Sequence, residues 1–600
     1  MASIACSGER SVTCSAPGKV LVAGGYLVLE RPNIGLTVAT SAKFHTTTEW
    51  KPYGKNNGND LHSRVEKPVT ISSEKERYIL TAVVHSPQFK TNYKYEVKLA
   101  ENKVVLLDVS KHLINDNDGD NSQAVAPSRN PYIETCITYC VTILLLCRDG
   151  SEIGLPDPMK NYLFVTLKAD NSFYSQREEL KRRGWPENLA SLRRLPACRP
   201  LKKVNKTGLG SSAALVTSFV ASILSIFDVV DLPGEATAEE RKRGAQGLDL
   251  VHRVAQVAHI VAQGKVGSGF DVCAACFGSN RYIRCNPETL KPVLNQDEEG
   301  NHGSSETNAL IGPDQEILKG VVYDNVQEKW DFQAKPFGLP ESLCMGLGDI
   351  SAGSSTPSMV RKVKAFLKTS KEAFENGKTV EDVGSKLWEG LGKWNLAIEN
   401  EFLSLIQISK KYNYIYRQTI HLCESLPSDQ WGKAQPSEED EKEYKLDNNW
   451  IVNEDLFGYL TDIFNVVPLH QEDAVEGEKL QMPEKLEISK DIITTLLRLK
   501  SLFLITRKAL KTLGNCAGVP IEPPEQTSLC NSTMKLPGVL SCSVPGAGGH
   551  DAIVAIALGN NALMRIEDHW LNMKDKGGNN VCMMPLKAGI MYDGLLAKWK

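Results

Sequence analysis

No apolar run in this 600-residue chain is long enough to cross a bilayer. The longest, residues 137–147, falls well short of the roughly 20 residues that a spanning helix needs. Positive charge is not in excess either. A formal net charge of −3 and a pI near 6.5 leave no global cationic field, so neither nucleic acid nor an anionic membrane is the expected partner. The opening Met1, Ala2, Ser3, Ile4 lacks the basic flank and apolar core of a secretory leader, and the closing Lys598, Trp599, Lys600 is not a peroxisomal tripeptide. The expectation is a cytoplasmic protein, with the peroxisome left open. Fifteen cysteines are scattered along the chain, and the one CxxC, Cys273 with Cys276, has no second CxxC to complete a zinc site. Free thiols in a reducing compartment are expected, with that pair structural. No internal repeat is present.

What is present is globular material, 42% hydrophobic and 24% charged. At about 150 residues per domain the length allows about four domains, and two large lobes with insertions fit it equally well. Strand patterns occupy residues 11–28 and 36–50, and a short one follows at 163–167. Helical patterns are densest at 132–148, 213–227 and 246–263, and return at 359–416 and 488–513 before a closing apolar strand at 552–557. The order is mixed α and β. Polar segments at 54–59 and 115–128 and acidic ones at 295–306 and 435–449 are expected as surface loops.

Chemistry concentrates in Lys206, Thr207, Gly208, Leu209, Gly210, Ser211, Ser212, Ala213, Ala214, which leads straight into an apolar helix. Glycines let the backbone approach an anion, serine hydroxyls add donors, and the helix start offers unpaired N–H groups with a favourable dipole. It is not a Walker A loop. For a bare GxG, a serine-capped helix behind a glycine turn explains as much.

The full GLGSSAA string resembles the central motif of the GHMP kinases. Ala16 to Tyr26, APGKVLVAGGY, resembles that family's first motif, and Val544 to Ala552, VPGAGGHDA, its third. Further strings resemble the eukaryotic phosphomevalonate kinase branch: GKVGSGFDV at 264–272, SFYSQR at 172–177, GSSTPSM at 353–359 and VPIEP at 519–523. The resemblance spans about residues 11–559.

It implies an α+β, two-lobed GHMP fold. The lobes would be a mixed α/β N-terminal lobe over 1–340 and a ferredoxin-like α+β lobe over 341–559, with the active site between them. It further implies ATP with Mg²⁺, phosphomevalonate as the acceptor, and a place in isoprenoid biosynthesis. The triphosphate would lie on Lys206 and Gly208, Leu209, Gly210, Ser211, Ser212 and Ala213, with Ser212 a ligand of the Mg²⁺. Asp271, Lys19 and Lys206 fall at catalytic positions. Gly546, Ala547, Gly548 and Gly549 form the third-motif loop. Candidates for the acceptor are Ser172, Tyr174, Ser175, Arg177, Arg281, Ser354, Ser355 and Thr356. Plain alternatives stand beside these: Asp271 fixing a turn, the lysines as solvated charges, 354–356 as a helix cap, and Arg281 in a surface ion pair. His252 and His259 lie seven residues apart on one helix with no third metal ligand nearby, which favours core or surface histidines.

After Gly559 the resemblance stops. Residues 560–600 show little periodicity, with several glycines and late methionines, and are expected to be poorly ordered. That tail keeps open a catalytically silent GHMP-fold sensor, beside a GHMP kinase acting on a different small acceptor.

Overall fold

The computed structural model describes residues 10–53, 61, 65–68, 76–113, 128–147, 157–201, 204–234, 245–298, 309–350, 356–434, 450–466, 480–550, 552–573, 581–584 and 594–599. Of the expected surface loops, 54–59, 115–127, 299–306 and 435–449 lie outside the described residues, while 295–298 end the helix Lys291–Glu298.

Two sheets organise the chain. The larger is built from β1 (Ser11–Ala23), β2 (Gly35–Pro52), β3 (Glu76–Ser86), β4 (Thr91–Ala100), β5 (Lys103–Asp108), β6 (Asn161–Ala169), β7 (Asn280–Ile283), β8 (Ala309–Ile311) and β9 (Gln333–Pro336). The smaller begins with β10 (Leu343–Asp349). A two-stranded ribbon follows, β11 (Gly432–Ala434) with β12 (Trp450–Val452), and then β13 (Val539–Ser543), β14 (Ala552–Leu558), β15 (Cys582–Met583) and β16 (Leu596–Trp599). The large sheet runs β16-β1-β2-β6-β3-β4-β5-β8, with β7 and β9 branching from β2, and the small one runs β13-β14-β10-β15. Among the described strand pairs, only β3 with β6 is parallel. The mixture of largely antiparallel sheets and packed helices is the α+β class expected from the sequence.

Alternation along β2 decides which helix covers the large sheet. Ala42, Phe44, Thr46, Thr48 and Trp50 are buried at period two, with half-buried residues between them. On that face lies the helix Ser211–Ile226, fixed by hydroxyl pairs, Thr46 with Ser218 and Thr48 with Ser222, each 2.8 Å. Trp50 meets Phe227 edge-on at 5.6 Å between ring centroids. These contacts set the height at which the helix begins, and hence where its first-turn N–H groups sit. The helical pattern expected over 359–416 resolves into Thr356–Glu375, Val383–Lys411 and the start of Asn413–Ser425, interrupted at Gly377 with φ of 66°. No helix among the described residues is long and apolar enough to cross a membrane.

The described parts of the tail, 560–573, 581–584 and 594–599, correct the expectation of poor order there. Gly559–Asn572 is a helix that buries Ala562, Ile566 and Trp570, at i, i+4 and i+8, against the small sheet. Trp570 Nε1 donates to Thr533 Oγ1 at 2.9 Å. Further on, β15 pairs with β10, and β16 returns to the large sheet as the edge strand beside β1, Val12 opposite Trp599. The polar asparagines that hid this helix in the sequence lie on its exposed side or at its start.

Candidate active site

The phosphate loop is held by β1 and by the segment 172–175. Gly210 caps the helix with φ of 76°, a left-handed conformation that glycine adopts freely, and no side chain caps the first turn. Its N–H groups are therefore available to an anion. The backbone N–H of Lys19 donates to the Leu209 carbonyl at 3.0 Å, and its Nζ donates to the Gly208 carbonyl at 3.0 Å. The first motif thus lies directly on the second. It also meets the third: Tyr26 Oη donates to the Ala547 carbonyl at 2.6 Å, and a Cβ on Gly25 would come within 2.7 Å of the Gly546 carbonyl oxygen.

One cleft of about 970 Å³ collects all three motifs. Among the described residues its walls carry Lys19, Lys206, Lys265, Arg284, Arg361 and Lys364 against a single carboxylate, Asp271. Gly208, Leu209 and Ser212 line it, as do Gly546, Ala547 and Gly548. Gly210, Ser211, Ala213 and Gly549 are not among its lining residues; Ser211 and Ala213 are buried in the first helical turn, and Gly549 donates its N–H to the Ile521 carbonyl.

Asp271 stands in the first turn of the helix Phe270–Phe277, where the dipole favours an anion, and its Oδ1 accepts from the Val272 N–H at 3.0 Å. Three buried side chains fix the turn before it. Gln256 donates to the Gly269 carbonyl at 2.6 Å, Tyr282 to the Ser268 carbonyl at 2.9 Å, and Arg284 to the Gly267 carbonyl at 2.9 Å. None of these three clamps was singled out as such in the sequence. Desolvation lowers the Lys19 ammonium below the ordinary lysine range, and Asp271 pulls it back up. Lys265 is lowered and supported by the same two causes, and desolvation alone lowers Lys206.

His259 was read from sequence as a core or surface residue. It is buried yet lines the cleft, with Nε2 3.2 Å from the Ser212 hydroxyl and 3.0 Å from Gln263 Nε2. Burial lowers its pKa, Asp271 opposing and Lys206 and Lys265 reinforcing, so the imidazole is neutral at pH 7. Its helical neighbour His252 is sealed among Phe277, Trp330 and Phe332. No line of sequence pattern separates the two.

The acceptor candidates divide. Ser172, Tyr174, Ser175 and Arg177 do not line the cleft; they surround a much smaller cavity behind the phosphate loop. The Ser172 carbonyl accepts from the Thr207 hydroxyl at 2.6 Å, and Tyr174 forms a backbone bridge to Lys206. Burial pushes the Tyr174 phenol up to about 12, a hydrogen bond with Ser211 opposing. Ser175 donates to the Asp349 carboxylate. Arg177 is buried, with Nε 2.8 Å from Glu187 and Nη1 3.2 Å from the Ile350 carbonyl. Together they brace the loop rather than face the cleft. Arg281 is also outside it, paired with Glu399 at 2.9 Å. Ser354 and Ser355 lie outside the described residues, and Thr356 opens the helix Thr356–Glu375, its side chain likewise undescribed. Cys273 and Cys276 are buried in the helix Phe270–Phe277, both thiols pushed up by burial.

No protein-family model matches the chain. A peroxisomal phosphomevalonate kinase of Arabidopsis thaliana is 33% identical over 569 residues, covering 92% of this chain and 90% of that protein. The chain belongs to the phosphomevalonate kinase family. A phosphomevalonate kinase of Aspergillus fumigatus is 30% identical over 555 residues, covering 91% of this chain and 87% of its own. The solved structure of the Lin0012 protein from Listeria innocua shares the fold with this kinase, with a TM-score of 0.50 over 98% of this chain and 99% of that one at 14% identity.

Proposed function

We propose that this cleft transfers the γ-phosphoryl group of ATP to the phosphate of (R)-5-phosphomevalonate, giving ADP and 5-diphosphomevalonate for isoprenoid synthesis. One observation carries the reading: a single cavity joins the GLGSSAA loop to Lys19 and Asp271 and, among the described residues, holds six cations against one carboxylate. Phosphoryl transfer needs charge cancelled and two anions aligned, with little covalent work from the protein. The acceptor phosphate has its second pKa near 6, so at pH 7 it is largely dianionic and needs no general base.

In this reading the first-turn N–H groups of Ser211, Ser212 and Ala213, with Gly208 to Gly210 and Lys206, hold the triphosphate. Lys19 stands between the reacting phosphates. Asp271 opposes the desolvation that lowers the Lys19 pKa. The third-motif loop, Gly546 to Gly549, closes the cleft over β1.

The donor set suits Mg²⁺, which prefers oxygen, keeps several waters and takes one or two carboxylates beside substrate phosphates. Ser212 Oγ and the Asp271 carboxylate would hold it, and among the described residues no cluster of three His, Cys, Asp or Glu competes. When bound it supplies neutralisation of phosphate charge.

The lobes we propose are 1–340 and 341–559, with 560–600 divided between them through β15 and β16. With the described parts of that tail packed on both sheets, no observation favours a silent binding protein. We place the reaction in the cytoplasm; imaging of the tagged chain against a peroxisomal marker decides between that and a peroxisomal address.

A coupled ADP-release assay on the full chain tests the function. Turnover with phosphomevalonate far above that with mevalonate, galactose or homoserine is expected. Preference for another of these acceptors would refute it.

A further inference from the structure

Phosphomevalonate has two anionic ends joined by a short carbon chain. Under the functional reading above, on which this inference rests, its phosphate must meet the γ-phosphoryl group beside Lys19 and Asp271. Its carboxylate must then find a cation away from the phosphate loop.

Most cleft cations are already committed. Lys19 donates to the Gly208 carbonyl, and in the functional reading Lys206 serves the triphosphate. Lys265 is coupled electrostatically to Asp271. Arg284 is buried, spending Nη1 on the Leu29 carbonyl and Nη2 on the Gly267 carbonyl.

Arg361 and Lys364 differ. Both are exposed, both line the cleft, and among the described residues neither meets a carboxylate. They stand at i and i+3 on the helix Thr356–Glu375, whose opposite side is anchored by buried Met359 and Val363. A helix holds them in place more firmly than a loop would. Beside them Val360 and Leu347 give the cleft an apolar floor suited to the methyl-bearing carbon chain. A guanidinium matches a carboxylate bidentately, which an ammonium does not.

We propose that Arg361, assisted by the charge of Lys364, grips the carboxylate of the acceptor and sets acceptor specificity at the end remote from the chemistry.

The test is steady-state kinetics on the full chain with phosphomevalonate and with its carboxamide analogue, in which that end is neutral. Arg361→Leu should raise the acceptor KM about 10- to 100-fold, the range expected for a lost hydrogen bond to a charged group. The KM for ATP and kcat at saturating acceptor should stay within about twofold, and the melting temperature should not move, because the residue is exposed. Against the carboxamide, wild type and variant should be equally weak. Arg361→Lys should recover part of the loss, since the charge returns without the fork. An unchanged acceptor KM, a raised KM for ATP, or an equal penalty on both acceptors overturns the proposal. Should the unaltered chain not turn over phosphomevalonate, the functional reading itself falls; should it do so with Arg361→Leu indistinguishable, only this inference falls.

Discussion

Arg177 and Arg361 line different cavities and have opposite fates. Around Arg177 every cation is answered: Glu187 and the Ile350 carbonyl take its guanidinium, and Glu179 takes Arg182 and Arg183. Around Arg361 the cleft is left with charge to spare, six cations to one carboxylate among the described residues. The first region spends its charge on holding the loop in place. The second keeps it for ligands that bring their own negative charge. An arginine in a motif string therefore says little about substrate until its partners are known.

The sharpest break in that comparison is expected at Arg177. Arg177→Met would leave Glu187, whose side chain is 12% exposed, with only the longer contact to Lys181 at 3.8 Å, and breaking a buried pair from one side costs about 3–5 kcal/mol. Urea unfolding should show that loss, while the KM for acceptor in the folded fraction stays unchanged. A raised KM with undiminished stability would move Arg177 into the ligand-binding group. A cost of similar size, about 3–5 kcal/mol, is expected for Trp570→Ala, because the ring is fully buried under the tail helix. Unfolding that is insensitive to this change would mean the tail does not contribute to the core.

The two histidines of the helix Ala245–Gln263 repeat the contrast on a smaller scale. His259→Ala should lower kcat about 10-fold by freeing the Ser212 hydroxyl. Because both side chains act through one contact, combining it with Ser212→Ala should give less than the product of the two losses. Additive losses would separate them.

His252 faces no ligand, and its effect is on stability. Its folded pKa is pushed down to about 3 from 6.5 by burial, with Arg253 adding to the shift. Above pH 6.5 neither state binds the proton. Below it the unfolded chain takes up a proton that the folded chain refuses, so stability falls as pH drops toward about 3, by at most about 1.4 kcal/mol per pH unit. His252→Phe should flatten the decline between pH 6.5 and 4.5 measured by guanidinium titration. An unaltered slope would assign the acid lability elsewhere.

How much of this could be read in the sequence followed the range of the interactions. Gly208 and Gly210 adopt positive φ of 79° and 76°, and a loop that needs such conformations next to an apolar helix carries its own signature. The three motif loops were legible for that reason. Pairing was not: Arg281 meets Glu399 across 118 residues, and Arg177 reaches Ile350 across 173. Nothing local marks such partners, so both arginines resembled substrate ligands. β16 was hidden the same way, since its four residues acquire strand character only beside β1, at the far end of the chain. The tail helix was a different case. Its buried stripe of Ala562, Ile566 and Trp570 was present in the sequence, masked by the asparagines and glycines around it.

The account stands on Lys19, the residue that touches the phosphate loop, answers to Asp271 and faces the cleft. Lys19→Met in the full chain, followed by ³¹P NMR of phosphomevalonate turnover and by calorimetric titration with a nonhydrolysable ATP analogue, tests it most directly. A fall in kcat of about 10² to 10³, the usual cost of removing one preorganised electrostatic group, with nucleotide binding retained, is the predicted result. Turnover near the wild-type rate would contradict it.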